Sequence, residues 1–126
     1  MSDVVKRLRA AGYNVKNRRQ WDSRYLGTYA LRLRSKPVDF PVDHFFAHIT
    51  VTKGKGDEGV REVEQIGMDR FGSGISYNWV VCHSNHTIYV GMPLGAKGAH
   101  TVNDKKVPGF PENLNYVGHA VAFLGM

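Results

Sequence analysis

Hydrophobic and polar positions along the chain change period several times, and each change marks an element. Val4, Val5, Leu8 and Ala11 recur at helical spacing, with Asp3 placed to cap that helix and Gly12 to end it. Residues 13–40 follow no period and are rich in basic side chains, so they read as irregular. Phe45-Phe46-Ala47-His48-Ile49-Thr50-Val51-Thr52 is strand-like in composition, and no Gly or Pro interrupts it from Val42 to Thr52. Alternation puts Phe46, His48 and Thr50 on one face of this strand and Phe45, Ala47, Ile49 and Val51 on the other. After the loop Lys53-Gly54-Lys55-Gly56, a helix capped by Asp57 is predicted to run to about Arg70. Its apolar stripe holds Val60, Val63, Gly67 and Phe71, with Arg61, Glu62, Glu64, Gln65 and Asp69 facing water. Ser76 to Cys82 and His86 to Gly91 read as a hairpin around a turn at Asn85, and Tyr116 to Leu124 as a last strand. Residues 102–115, with Pro108 and Pro111, read as loop. Strand, helix, hairpin, loop and strand predict an α/β fold: one mixed central β-sheet flanked by helices.

At 126 residues, 42% hydrophobic and 22% charged, the chain has the size and composition of one globular domain. No apolar run reaches membrane-spanning length, and the first residues carry charge without the apolar core of a secretory signal. The expected place of synthesis is therefore the cytoplasm. The single cysteine, Cys82, excludes an internal disulfide framework and a cysteine-rich zinc module, so any metal site must draw mainly on the six histidines and the carboxylates. A net charge of +6 favours an anionic partner, either nucleic acid or an acidic wall polymer. The basic residues crowd into positions 1–36 among Tyr13, Trp21, Tyr25 and Tyr29, but no RNA- or DNA-binding motif accompanies them.

His48 is the residue the pattern leaves unexplained. An imidazole on a rigid strand, between an aromatic and a hydroxyl, suits a metal ligand, a proton carrier or a hydrogen-bonded core residue. Three motifs stand in order around it. They are His48-Ile49-Thr50-Val51-Thr52, then Ile75-Ser76-Tyr77-Asn78-Trp79-Val80-Val81 with Ile88-Tyr89-Val90-Gly91, then Lys97-Gly98-Ala99-His100-Thr101 followed by the strand at Val117 to Gly125. A helix with Val60-Arg61-Glu62-Val63-Glu64-Gln65 lies between the first two. This order resembles the zinc-dependent N-acetylmuramoyl-L-alanine amidases, the family of peptidoglycan recognition proteins and bacteriophage lysozyme-type amidases. The resemblance covers about residues 42 to 125; Arg18-Arg19-Gln20-Trp21 matches the family's lead-in only loosely. It divides the chain into a basic lead-in, residues 1–36, and an amidase-like domain, residues 37–126, packed as one unit.

The resemblance implies peptidoglycan as partner and Zn2+ as cofactor. It also implies hydrolysis of the amide between N-acetylmuramic acid and the first L-alanine of the stem peptide, in a phage endolysin or cell-wall amidase. A zinc held by three protein ligands brings its bound water to a pKa of about 7 and polarises the carbonyl. By position, His48 matches the first zinc ligand and Tyr77 the tyrosine beside the metal, where its phenol positions water or meets the developing oxyanion. His100 and Thr101 match the loop lining the substrate groove, and Asn103 a similar lining position. Each has a plainer reading: Tyr77 as a strand anchor, His100 as an exposed loop residue, Cys82 as a small buried side chain, and His83 and His86 as solvent-facing turn residues. The family's other two zinc ligands, a His and then a Cys or Asp, fall beyond the last strand, as does a helix covering one sheet face. The expectation is thus a C-terminally truncated amidase fold, one sheet face bare, paired with a second copy or a complementary chain. Two other functions stay open. One is a peptidoglycan-binding module without catalysis. The other is a 2H-type phosphoesterase, for which His48-Ile49-Thr50 would be half the site; a second His-x-Thr motif is absent.

Overall fold

The computed structural model describes residues 3–26, 44–72, 74–93 and 118–125. In chain order these form α1 (Asp3–Ala10), β1 (Asn14–Lys16), β2 (His44–Ile49), α2 (Gly56–Phe71), β3 (Trp79–Cys82), β4 (Thr87–Val90) and β5 (Gly118–Phe123). The strands make one sheet in the order β1-β4-β3-β5-β2. β3 and β4 are an antiparallel hairpin, and the pairs β1–β4, β3–β5 and β2–β5 are parallel. This is the mixed sheet that the sequence pattern predicts. β5 lies between β3 and β2, which among the described residues leaves β2 on the edge with β5 as its strand neighbour.

Register sorts the side chains into two faces. His48 stands beside Ala122, which stands beside Val80, which stands beside Tyr89. On this face α2 lays Val60 and Val63 over Val80, Cys82, Tyr89 and Ala122, with Trp21 and Ile75 closing the core. The other face carries Trp79, Ile88, Val90 and Val121, and Val5 and Leu8 of α1 cover it together with Val15. That cover stops short of the β5–β2 side. Phe45 (63% exposed), Ile49 (60%), Val51 (69%) and Phe123 (46%) stand in solvent there, so a bare apolar face exists as expected from the sequence.

Three local readings need correction. Residues 14–16, within the stretch read as irregular, form β1; its polar Asn14 and Lys16 hide the strand pattern, and its partner β4 lies 73 residues on. Phe71, placed on the apolar stripe, is exposed where α2 runs past the sheet. Glu64, expected to face water, is 0% exposed. It lies one turn beyond Val60 and so on the stripe that meets the core, where residues 18–24 wrap it. The Arg18 guanidinium donates to its Oε2 at 3.1 Å, Ser23 Oγ donates to the same oxygen, and the Arg24 backbone N–H donates to Oε1 at 2.8 Å. Trp21 follows, its indole N–H on the Val90 carbonyl at 2.8 Å and its own carbonyl accepting from Arg61 at 2.8 Å. Lys16 pairs with Asp57 at 2.8 Å. Residues 14–26 of the lead-in are thus built into the fold, 14–16 as a strand of the sheet and 18–24 around Glu64 on α2.

Candidate functional site

Phe46 and His48 share the more buried face of β2, as alternation predicts, Thr50 follows just past its end, and only small residues, Ala120 and Ala122, stand beside Phe46 and His48 on β5. That leaves room for the imidazole to reach Tyr77, which arrives from the segment leading into β3. The two rings are 5.3 Å apart between centroids and tilted by 48°. Sequence reasoning named both residues, and the fold brings them together.

Tyr77 is held by its neighbours. Asn78, buried, donates its amide to the Met92 carbonyl at 3.1 Å and accepts the Ala120 N–H at 2.8 Å, while its own N–H donates to the Ala120 carbonyl at 3.2 Å. The Tyr77 carbonyl accepts the Met92 N–H at 2.7 Å. Gly91 makes this approach possible: a Cβ there would sit 2.2 Å from the Tyr77 carbonyl oxygen. Burial pushes the Tyr77 phenol above its usual range, and the Arg70 charge opposes part of that. Burial also holds the His48 imidazole below its usual range. At neutral pH the pair is therefore a neutral imidazole beside a protonated phenol.

Beside Tyr77 opens a pocket of about 90 Å³ lined by Thr50, Thr52, Val63, Ile66, Gly67, Arg70, Phe71, Ser76 and Tyr77. The Thr50 and Thr52 hydroxyls meet at 2.7 Å, and Thr50 Oγ1 accepts the Gly125 N–H at 3.2 Å. Val51 between them has φ +56°, a left-handed conformation that a β-branched residue adopts at a cost of roughly 1–3 kcal/mol. Sequence reasoning missed Asn78 as the clamp and Arg70, Thr52 and Ser76 as pocket lining. The Tyr77-Asn78 pairing was the one visible signal for the first; the others meet only through the fold.

The remaining candidates separate from this centre. His100, Thr101 and Asn103 lie outside the described residues. His83 and His86 are exposed in the β3–β4 turn, 5.6 Å apart between ring centroids. Cys82 is buried, with Sγ accepting the Gly56 N–H at 3.4 Å and touching Ser84 Oγ at 3.2 Å. Burial raises its thiol pKa, but the hydrogen bonds outweigh this and leave it below the usual value. Among the described residues no three His, Cys, Asp or Glu side chains converge to hold a metal ion. His48 alone does not meet the three-ligand requirement of a catalytic zinc, so no step through zinc follows from these residues.

No sequence-family model matches the chain, and no curated protein matches it by sequence. Solved structures do. Drosophila peptidoglycan recognition protein SA superposes with a TM-score of 0.64 at 24% identity, covering 90% of this chain and 59% of that one. The ectodomain of the Drosophila transmembrane receptor PGRP-LCa gives 0.67 at 18% identity, covering 89% and 62%. A tyrosine-to-phenylalanine mutant of Drosophila PGRP-LB, in complex with tracheal cytotoxin, gives 0.62 at 15% identity, covering 88% and 60%. The chain thus spans about 60% of the length of the structures it matches. Over that span, this protein has the fold of the peptidoglycan recognition proteins.

Proposed function

We propose that the chain acts on peptidoglycan as an amidase-type domain, engaging the stem peptide beside His48 and Tyr77 and cleaving its amide to N-acetylmuramic acid. The observation that carries this reading is the pairing of these two residues in this fold, 5.3 Å apart between ring centroids, with a pocket opening beside Tyr77. A relative of this fold holds tracheal cytotoxin, a peptidoglycan fragment, which supports the same ligand class here. In the proposed site the Tyr77 phenol donates to the scissile carbonyl oxygen as it gains charge, and the neutral His48 offers a lone pair to a proton or a metal. A zinc supplied with further ligands would add an activated water; His48 is the described residue that would bind it.

A second reading, a muropeptide binder without cleavage, is favoured by the absence of a three-ligand group among the described residues. Titration of a muropeptide by calorimetry, together with release of stem peptide from purified cell walls with and without added zinc, separates the two. Binding with cleavage that His48→Ala and Tyr77→Phe both abolish supports the amidase. Binding without cleavage leaves the binder, and no binding at all defeats both. The bare apolar face of β2 and β5 supports one further part of the reading, a second polypeptide completing the fold there. Native mass spectrometry of the full chain, alone and with a supplied C-terminal amidase segment, tests it; a monomer under both conditions rejects it.

A further inference from the structure

We propose that the turn between β3 and β4 binds a divalent transition-metal ion of the Ni2+, Cu2+ and Zn2+ class, with the His83 and His86 imidazoles as its two protein ligands. The proposal is independent of the peptidoglycan reading and of His48. Val80 stands level with His48 across the sheet. His83 lies three residues beyond Val80 and two strands over from β2, so the two histidine positions are roughly 14 Å apart and the sites are separate.

The turn holds the two rings in a chelating position. Cys82 and Thr87 are the last paired residues of the hairpin, so His83-Ser84-Asn85-His86 is its loop, and the His86 N–H donates to the His83 carbonyl at 3.3 Å. With metal–nitrogen bonds of about 2 Å, each ring centroid sits roughly 3.2 Å from a shared ion, so two rings on one ion span at most ~6.4 Å. The separation of 5.6 Å falls inside that limit and corresponds to an angle of roughly 120° at the ion. Both rings are exposed and neither makes a hydrogen bond among the described residues, so each can turn a nitrogen to the ion. The turn beneath them is stiff. Asn85 accepts the Thr87 N–H at 3.2 Å and donates to the Tyr89 phenol at 2.8 Å, and Asn14 donates to Thr87 Oγ1 at 2.8 Å. A pair prearranged in this way gives up little freedom on binding. Two imidazoles, with water in the remaining positions, suit Ni2+, Cu2+ and Zn2+, whereas Mg2+ and Ca2+ require oxygen ligands. The plainer reading, two solvent-facing turn residues, accounts for the exposure. It does not account for an imidazole at φ +53°, a left-handed position that glycine fills at less cost.

The test is calorimetric titration of the full chain with Ni2+ alone, and with Mg2+ for contrast, in a His48→Ala background so that the His48 position contributes nothing. This chain is expected to bind Ni2+ and not Mg2+. Adding His83→Ala or His86→Gly should weaken Ni2+ binding by on the order of tenfold or more, because a chelate is reduced to one ligand. Both residues are exposed and glycine suits the left-handed position, so the variants are expected to fold, which circular dichroism verifies. Ni2+ should also raise the Tm of the parent chain and leave that of His86→Gly unchanged. Absence of Ni2+ binding in the His48→Ala chain, or an affinity that survives in both added variants, overturns the metal site and leaves the peptidoglycan reading untouched.

Discussion

Removing the Glu64 carboxylate should be the most damaging single change away from the candidate site. In Glu64→Ala the Arg18 guanidinium, with a side chain only 7% exposed, loses the anion 3.1 Å from it. The Arg24 N–H and the Ser23 hydroxyl lose their acceptor at the same time. A buried ion stripped of its partner costs about 3–5 kcal/mol, the larger part of this change. Urea unfolding followed by tryptophan fluorescence measures it. With a slope of about 2 kcal/mol per molar, the midpoint should fall by roughly 2 M. The double variant Arg18→Met with Glu64→Leu removes both charges and should recover most of the loss, giving a coupling of about 2 kcal/mol or more. A Glu64→Ala cost under about 1 kcal/mol, or a coupling indistinguishable from zero, would refute the claim that this pair ties the N-terminal segment to α2.

Gly67→Ala should lower Tm although alanine is the better helix former by about 1 kcal/mol, because its Cβ would sit 1.9 Å from the Gly74 carbonyl oxygen; a rise in Tm contradicts the packing. Burial, with a smaller contribution from Asp57, raises the Tyr89 phenol to about 12. Its stability contribution is then full below about 10 and lost as pH rises through about 12, and ultraviolet titration should show one tyrosine ionising late that Tyr89→Phe removes. Burial raises the Asp57 carboxyl, but hydrogen bonds from Lys16 and Tyr89 and the charges of Lys16 and Arg61 hold it below its usual value. Asp57 therefore stabilises the fold above the unfolded carboxylate range and ceases to as pH falls through its folded value, so the deficit of Lys16→Ala seen at pH 7 should shrink in acid unfolding curves. Ile49→Lys should change stability by less than about 0.5 kcal/mol while lowering binding of a hydrophobic dye; a loss above about 1.5 kcal/mol would show that the face is covered.

The parts of the fold legible in the sequence are those where one period runs long enough to stand out. β2 is an unbroken run of strand-forming residues, α2 keeps Val60, Val63 and Gly67 on its buried stripe, and the β3–β4 turn is marked by polar residues. Ser76 to Asn78 read as strand but precede β3, although Asn78 still bonds to Ala120 and Gly91 through its backbone and to Met92 and Ala120 through its side chain. Glu64 misled because charge predicts exposure only when no buried partner exists, and Arg18 is 46 residues away in sequence. His48 and Tyr77 were legible because their motifs stand in a recognisable order. The pocket was not: Thr52, Arg70 and Ser76 come from three separate segments, and only packing brings them together.

The central place of β5 has a kinetic meaning. β2 is made early, yet among the described residues its strand neighbour is the last strand in chain order, 74 residues downstream by register. Closing so long a loop must precede any gain from the pairing, which makes this, like the β1–β4 pairing across 73 residues, a late step of assembly. Asn78, which fixes Tyr77, also bonds to β5. His48 and Tyr77 therefore take up their places in the same late event. A probe of their ring contact should lag behind one of the local β3–β4 hairpin during refolding, so that the site exists only after the hairpin does.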